Sequence, residues 1–279
     1  MPLHAEEVCF INTNIAFTIG PLSVAWYGIL IAFAFALGSF LAYREAKRQH
    51  LNIDDLFNLL LLIIVSAIIG ARFYYVIMRW DYYSQFPAHI FQPWRGGLAI
   101  HGGIIFAVLA ILVYCRKRRL NFLRWADIFA PSLVLGQAIG RWGNFINQEA
   151  YGIETTVPWA MWINGAYRHP TFLYESILSL LVFGLLLWLN RRPHRIGSIA
   201  ATYFIFHSIG RFFIEMLRTD SLMLGPWRVA MLVAAIFVML GALILYRIRQ
   251  EPLVNVAELP PPARKQKNSR KPNSRQKGR

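Results

Sequence analysis

Charge is scarce in this chain. Only 15% of its 279 residues are Asp, Glu, Lys or Arg, against about 25% in a soluble domain. Acidic residues are scarcer still, 14 beside 29 basic ones. Cysteine is limited to Cys9 and Cys115, which the charge pattern below puts on opposite sides of a membrane, so no intrachain disulfide is expected. Neither cysteine sits in a metal-ligand spacing; no metal and no cofactor are expected. No internal repeat is visible. Met1 to Gly20 holds no Lys or Arg but has Glu6 and Glu7, which makes it a poor secretory signal peptide and keeps the first apolar run in place.

What fills the chain instead is apolar length. Hydrophobic residues make up 56% and the mean hydropathy is +0.41. Several windows of about 19 to 23 residues hold few or no charges, enough to cross roughly 30 Å of hydrocarbon. The segments lack the two-residue alternation of barrel strands. The expected fold is therefore an all-α polytopic membrane protein with seven transmembrane helices, over 22–43, 56–78, 97–115, 126–146, 171–190, 196–217 and 226–246. Residues 1–250 form one transmembrane domain in this reading, and 251–279 a disordered basic tail, by its prolines and its Lys, Arg, Asn, Ser and Gln content.

Lysine and arginine set the orientation. The segments after spans 1, 3, 5 and 7 hold 21 of the 29 basic residues, which places the N-terminus outside and the C-terminus in the cytoplasm. The net charge of +15 is then mostly a topology signal, and no nucleic-acid partner is expected. A solvated tail drawn to anionic inner-leaflet lipid explains the last basic residues. Two connections on the outer side are long and aromatic: 79–95, with Trp80, Tyr82, Tyr83, Phe86, Phe91 and Trp94, and 148–170, with Trp159, Trp162 and Tyr167. Such segments suit the headgroup layer.

Four titratable groups on four spans fall at one expected depth in the outer leaflet. Arg72 is near the end of span 2, and Arg141 about five residues inside span 4. His101 lies roughly 6 Å and Arg211 on the order of 9 Å deep, at 1.5 Å per residue. Each alone could snorkel to the interface. If they converge, they make a pocket for an anion that is itself partly in the membrane, a lipid phosphate, which the planar guanidinium fork suits. Arg211, Glu215 and Arg218 share one helix face by their i, i+4, i+7 spacing. Asn144 lies on the face of Arg141, Asn147 and Glu149 follow at the helix end, and Gly140 and Gly143 leave room for a close neighbour. Tyr174 and Glu175 point from the first turn of span 5. An anion or lipid transporter needs intramembrane arginines too, but commonly shows repeated halves and a midplane site. A seven-span receptor would explain the topology and not the arginines.

The run G-R-W-G-N-F-I-N-Q-E-A-Y-G (Gly140 to Gly152) closely resembles the signature of the bacterial phosphatidylglycerol–prolipoprotein diacylglyceryl transferases. W-Y-G (Trp26 to Gly28), G-G-L-A-I-H-G-G (Gly96 to Gly103), H-P-T-F-L-Y-E (His169 to Glu175) and G-R-F-F-I-E-M-L-R-T-D-S-L (Gly210 to Leu222) are similar to that family in the same order. The resemblance implies an enzyme of the bacterial plasma membrane, multi-pass, with its site near the outer leaflet. It would move the diacylglyceryl group of phosphatidylglycerol to the lipobox cysteine thiol of a preprolipoprotein, leaving a thioether and glycerol-1-phosphate. The family's lipid-binding arginine maps onto Arg141, its asparagine onto Asn144, its second essential arginine onto Arg211 and its histidine onto His101. Tyr27, Glu149, Gly152 and Glu215 also match. Where many members have a tyrosine, four residues before Arg211, this chain has His207; the role passes to His207 or to Tyr203 one turn earlier. In the implied chemistry Arg141 and Arg211 stabilise charge on the phosphate, and His101 takes the thiol proton or orients the glycerol.

Overall fold

The computed structural model describes residues 15–20, 22–92 and 96–255; Cys9, Trp94, Arg95 and the basic stretch from residue 256 lie outside them. A hairpin of β1 (Ile15–Ile19) and β2 (Leu22–Ala25) feeds α1 (Trp26–Arg48). Then come α2 (Ile53–Met78), a single turn α3 (Trp80–Tyr83), a 3-10 turn at Pro87–Phe91 and α4 (Ile100–Arg118). Next is α5 (Phe122–Ile146), followed by a second hairpin of β3 (Met161–Ile163) and β4 (Ala166–Arg168). The chain continues with α6 (Thr171–Asn190), α7 (Ser198–Glu215), a third hairpin of β5 (Met223–Leu224) and β6 (Trp227–Arg228), and α8 (Val229–Ile248).

Five helices, α1, α2, α4, α6 and α8, are long and apolar enough to cross a membrane by length and composition. The expected spans at 126–146 and 196–217 are helical too, as α5 and α7, but these two helices carry among others Arg124, Asp127, Arg141, Arg211 and Glu215 and fall outside that set of five. Local chemistry moves several span ends. The first helix starts at Trp26 rather than residue 22 because Leu22–Ala25 pairs with β1. It runs on to Arg48, whose guanidinium closes on Glu45 at 2.6 Å. Helix α4 starts three residues late because Gly96 and Gly97 hold φ of +86° and +77°, a left-handed backbone no helix continues through. Helices α2 and α5 start early: the Asn52 and Asn121 side chains accept from the Asp54 and Arg124 amides at 2.9 and 3.2 Å, satisfying donors that a bare helix start leaves open. The tail begins docked, not free, since His194 and Val254 exchange backbone hydrogen bonds at 3.1 and 3.0 Å.

Helix α5 is the spine. It packs on α1, α6 and α7 and touches α4. One core joins Ala42, Ala46, Leu56, Leu59, Cys115, Trp125 and Ile128, at the end of the bundle where the basic segments collect. A second core sets Ala130 and Val134 against Val182, Leu186, Ile199 and Ala200. The outward faces stay apolar: Leu61, Leu181 and Met239 are each more than 60% exposed, as a lipid solvent demands. Small residues let backbones meet, and a Cβ on Gly102 would strike the Gly70 carbonyl across the α2–α4 contact. Helix α7 begins at Gly197, which offers no capping side chain; the buried Asp127 of α5 accepts from the Gly197 and Ala200 amides instead, at 2.5 and 2.8 Å. That contact fixes α7 against α5 along their length.

Candidate active site

At the other end of the bundle, the starts of α1 and α6 meet the ends of α5 and α7. Arg141 of α5, Arg211 of α7 and Arg218 just past α7 all reach one carboxylate, Glu175 in α6. Arg141 Nη2 lies 2.5 Å from Glu175 Oε2. Arg211 Nη1 donates to Glu175 Oε1, and Arg218 Nη1 is 3.4 Å from the same oxygen. The Glu175 side chain is 3% exposed; a carboxylate so buried persists only when paired. The expected face of α7 is present as well: Arg211 Nη2 is 2.9 Å from Glu215 Oε2, and Arg218 Nε is 3.9 Å from it. Glu175 Oε2 and Glu215 Oε2 make ion pairs, while Oε1 of each carboxylate accepts directed hydrogen bonds, from Arg211 and Arg218 at Glu175 and from Ser221 at Glu215.

Arg218 faces carboxylates on every side. Beyond Glu175 and Glu215 it grips Asp220 with Nε and Nη2 at 3.0 and 2.8 Å. Burial pushes the Asp220 carboxyl up, but the Arg218 hydrogen bonds outweigh it and hold that carboxyl below the usual range. Arg141 and Arg211 are different. Their side chains are 25% and 20% exposed, and each guanidinium has five N–H donors, more than its carboxylates use.

Around Arg141 the expected residues gather. Arg141 Nη1 donates to Asn144 Oδ1 at 3.3 Å, Asn144 Nδ2 to Glu149 Oε1 at 2.8 Å, and Asn147 Nδ2 to the same oxygen at 3.3 Å. The Tyr27 ring packs where a Cβ on Gly143 would stand, so that glycine is what lets α1 close on α5. Gly152 donates to the His169 carbonyl at 3.0 Å and pairs with Arg218 in an isolated bridge; a Cβ there would meet His169 and the Leu217 carbonyl. His207 lies one turn below Arg211, its ring 5.3 Å from that of Tyr203. Arg228 closes the far side, donating to the Glu215 carbonyl.

Two members of the expected layer make no direct contact with that cluster among the described residues. The Arg72 guanidinium is spent on main chain: it donates to the carbonyls of Ile90 at 3.0 Å, Gly96 at 2.6 Å, Gly97 at 3.0 Å and His89 at 2.5 Å. The 79–97 connection has carbonyls without strand or helix partners, and Arg72 is the clasp that supplies them with donors. His101 is the second residue of α4, exposed, with its ring 6.3 Å from Tyr74. Among the described residues no hydrogen bond, ion pair or ring contact joins it to the guanidinium cluster. Equal depth on different helices does not fix which way a side chain faces. Conversely, the central position of Glu175 and the grip of Arg218 on Asp220 are not legible in sequence spacing, whose one hint is Glu175 in the first turn after His169–Pro170. Among the described residues no group of three His, Cys, Asp or Glu side chains could hold a metal ion.

A model of the prolipoprotein diacylglyceryl transferase family matches residues 14–247. Relatives named phosphatidylglycerol–prolipoprotein diacylglyceryl transferase are similar over most of their length. The one from Finegoldia magna is 46% identical over 240 residues, 85% of this chain and 96% of its own. The one from Clostridioides difficile is 44% identical over 245 residues, 88% and 99% of the two chains. A third, from Bacillus cytotoxicus, is 49% identical over 229 residues, 78% and 85%.

Proposed function

The chain belongs to the prolipoprotein diacylglyceryl transferase family, and from that premise we propose which of its side chains carry the reaction. It is an enzyme of diacylglyceryl transfer from phosphatidylglycerol to prolipoprotein, and a polytopic membrane protein. In our reading the free donors of Arg141 and Arg211 grip the lipid phosphate. Glu175, Glu215 and Arg218 hold those two guanidiniums in place. Asn144, with Asn147 and Glu149 behind it, faces the headgroup glycerol, and Tyr27 and Gly152 wall the pocket.

The acceptor is the lipobox cysteine. Its sulfur attacks the carbon of the diacylglycerol unit that bears the phosphate; a C–S bond forms, the C–O bond breaks, and glycerol-1-phosphate leaves with the electron pair. Fixed cations in a dry site act most on the charge that develops as that bond breaks, and their field also favours the thiolate. The thiol proton goes to His101 or to the departing phosphate monoester. A His101→Gln variant separates the two: no transfer assigns the imidazole, and a substantial residual rate assigns the phosphate.

We further propose seven crossings with the N-terminus outside, a plasma-membrane location with the site in the outer leaflet, and residues 1–250 as the catalytic domain. Helix α5 spans about 37 Å and α7 about 27 Å at 1.5 Å per residue, which supports counting both. The observation that carries the function is the convergence of Arg141 and Arg211, from two helices, on the single carboxylate of Glu175. Mixing purified protein with phosphatidylglycerol and a lipobox peptide tests it. The expected product is the peptide with a diacylglyceryl mass on its cysteine, and an unchanged peptide would end this reading.

A further inference from the structure

Below the guanidiniums the polar side chains do not stop. Gln137 is one turn deeper than Arg141 on the same face of α5, about 6 Å down; Tyr203 is two turns deeper than Arg211 on α7, about 12 Å down. His207 lies between, stacked on Tyr203 at 5.3 Å with 28° between the rings. Tyr203 is 8% exposed and packs in the second apolar core. The Gln137 amide meets the Tyr203 hydroxyl at 2.9 Å, and Gln137 Oε1 is buried with no partner.

An unpartnered buried polar atom is costly to keep. Amide oxygen and nitrogen differ only by assignment, so both orientations have to be weighed. With the nitrogen on Tyr203, the amide oxygen wants a donor. With the oxygen accepting from the Tyr203 hydroxyl, the NH₂ group wants an acceptor. At this depth a phospholipid offers acceptors and no donors. Its phosphate and headgroup hydroxyls sit outward, and just inward of them come the ester carbonyls of the diacylglycerol.

We propose that Gln137, oriented by Tyr203, is a subsite that donates a hydrogen bond to an ester carbonyl of the lipid whose phosphate Arg141 and Arg211 hold. This rests on the reading of the phosphate site given above. Tyr203 accordingly acts as a positioning residue through Gln137. The subsite selects acyl lipids over alkyl ones, because an ether-linked chain has no carbonyl oxygen to accept.

The test uses two phosphatidylglycerols of equal chain length and unsaturation, one with two ester-linked and one with two ether-linked chains. Both carry the same leaving group. The purified full-length chain transfers each to a lipobox peptide, and kcat/KM is measured for both. Wild type should favour the diester by about tenfold, the size of one lost hydrogen bond. Gln137→Leu should bring the ratio close to one, and Tyr203→Phe should lower it as well, which keeps the test open if either variant fails to fold. A purely structural lesion lowers both rates and leaves the ratio alone. Equal rates in wild type, or a ratio unchanged in both variants, would overturn the proposal while leaving the function intact. A wild type that transfers from neither donor sinks the function reading and this inference with it.

Discussion

Glu175 shows what a single residue contributes here. Its carboxylate is shared by Arg141, Arg211 and Arg218, so it sets the spacing of the two guanidiniums proposed above to hold the lipid phosphate. Replacing it by Gln leaves three cations short of one charge around a side chain that is itself buried. Removing one partner from a buried ion pair costs about 3 kcal/mol or more. Glu175→Gln is therefore expected to lower the thermal unfolding midpoint in detergent and to reduce transfer by at least about tenfold, the factor that 1.4 kcal/mol represents; a variant with normal midpoint and rate would show that Glu175 is dispensable. Asp220 behaves differently because Arg218 depresses its pKa. A carboxyl held low stabilises the fold above its unfolded value, about 3.9, and the stabilisation goes as pH falls through the lower folded value. The gap in unfolding midpoint between wild type and Asp220→Asn should accordingly be constant from pH 5 to 8 and close only in stronger acid. A gap that changes around neutrality would mean another group titrates there. Sequence spacing revealed Arg211 with Glu215 because they share a helix face, whereas Glu175 lies on another helix and spacing is silent between helices.

At the scale of elements, the apolar runs were legible and their ends were not. Helix α6 coincides with its expected span at 171–190, since Pro170 and the run's apolar length both mark it. Helix α7 was harder, because its start is fixed by Asp127, a side chain some seventy residues earlier in α5. The carboxylate serves as the cap that Gly197 lacks and sits at the positive end of the α7 dipole. Asp127→Ala should cost about 1–2 kcal/mol, the upper range for loss of a cap, read as a lower unfolding midpoint in detergent. Because α7 carries Arg211 at its far end, the same variant should also raise KM for phosphatidylglycerol. An unchanged midpoint would mean that water or another group caps α7 equally well. Arg72 teaches the opposite lesson: a guanidinium at the right depth belongs to the 79–97 connection, and only backbone geometry reveals the carbonyls that claim it.

Across the whole molecule, charge is sorted between the two ends of the bundle. The C-terminal ends of α1, α4 and α8, with the segments that follow α4, α6 and α8, carry Arg44, Lys47, Arg48, Arg116 to Arg119, Arg191, Arg192, Arg195, Arg247 and Arg249. The guanidinium site and the β3–β4 hairpin, capped by the Asn164–Gly165 turn, occupy the other end. Basic segments are retained on the cytoplasmic side, so the site should open outward, where the lipobox cysteine of an exported precursor arrives. Single cysteines test this in sealed cells, starting from a variant with Cys9 and Cys115 changed to Ser. A cysteine at Asn164, half of the turn between β3 and β4, should react with a membrane-impermeant maleimide added outside. One at Lys47, at the basic end of α1, should react only after the cells are opened. The reverse pattern would put the arginines in the inner leaflet, out of reach of an exported thiol, and would count against both the orientation and the assignment of Arg141 and Arg211 to an outer-leaflet phosphate.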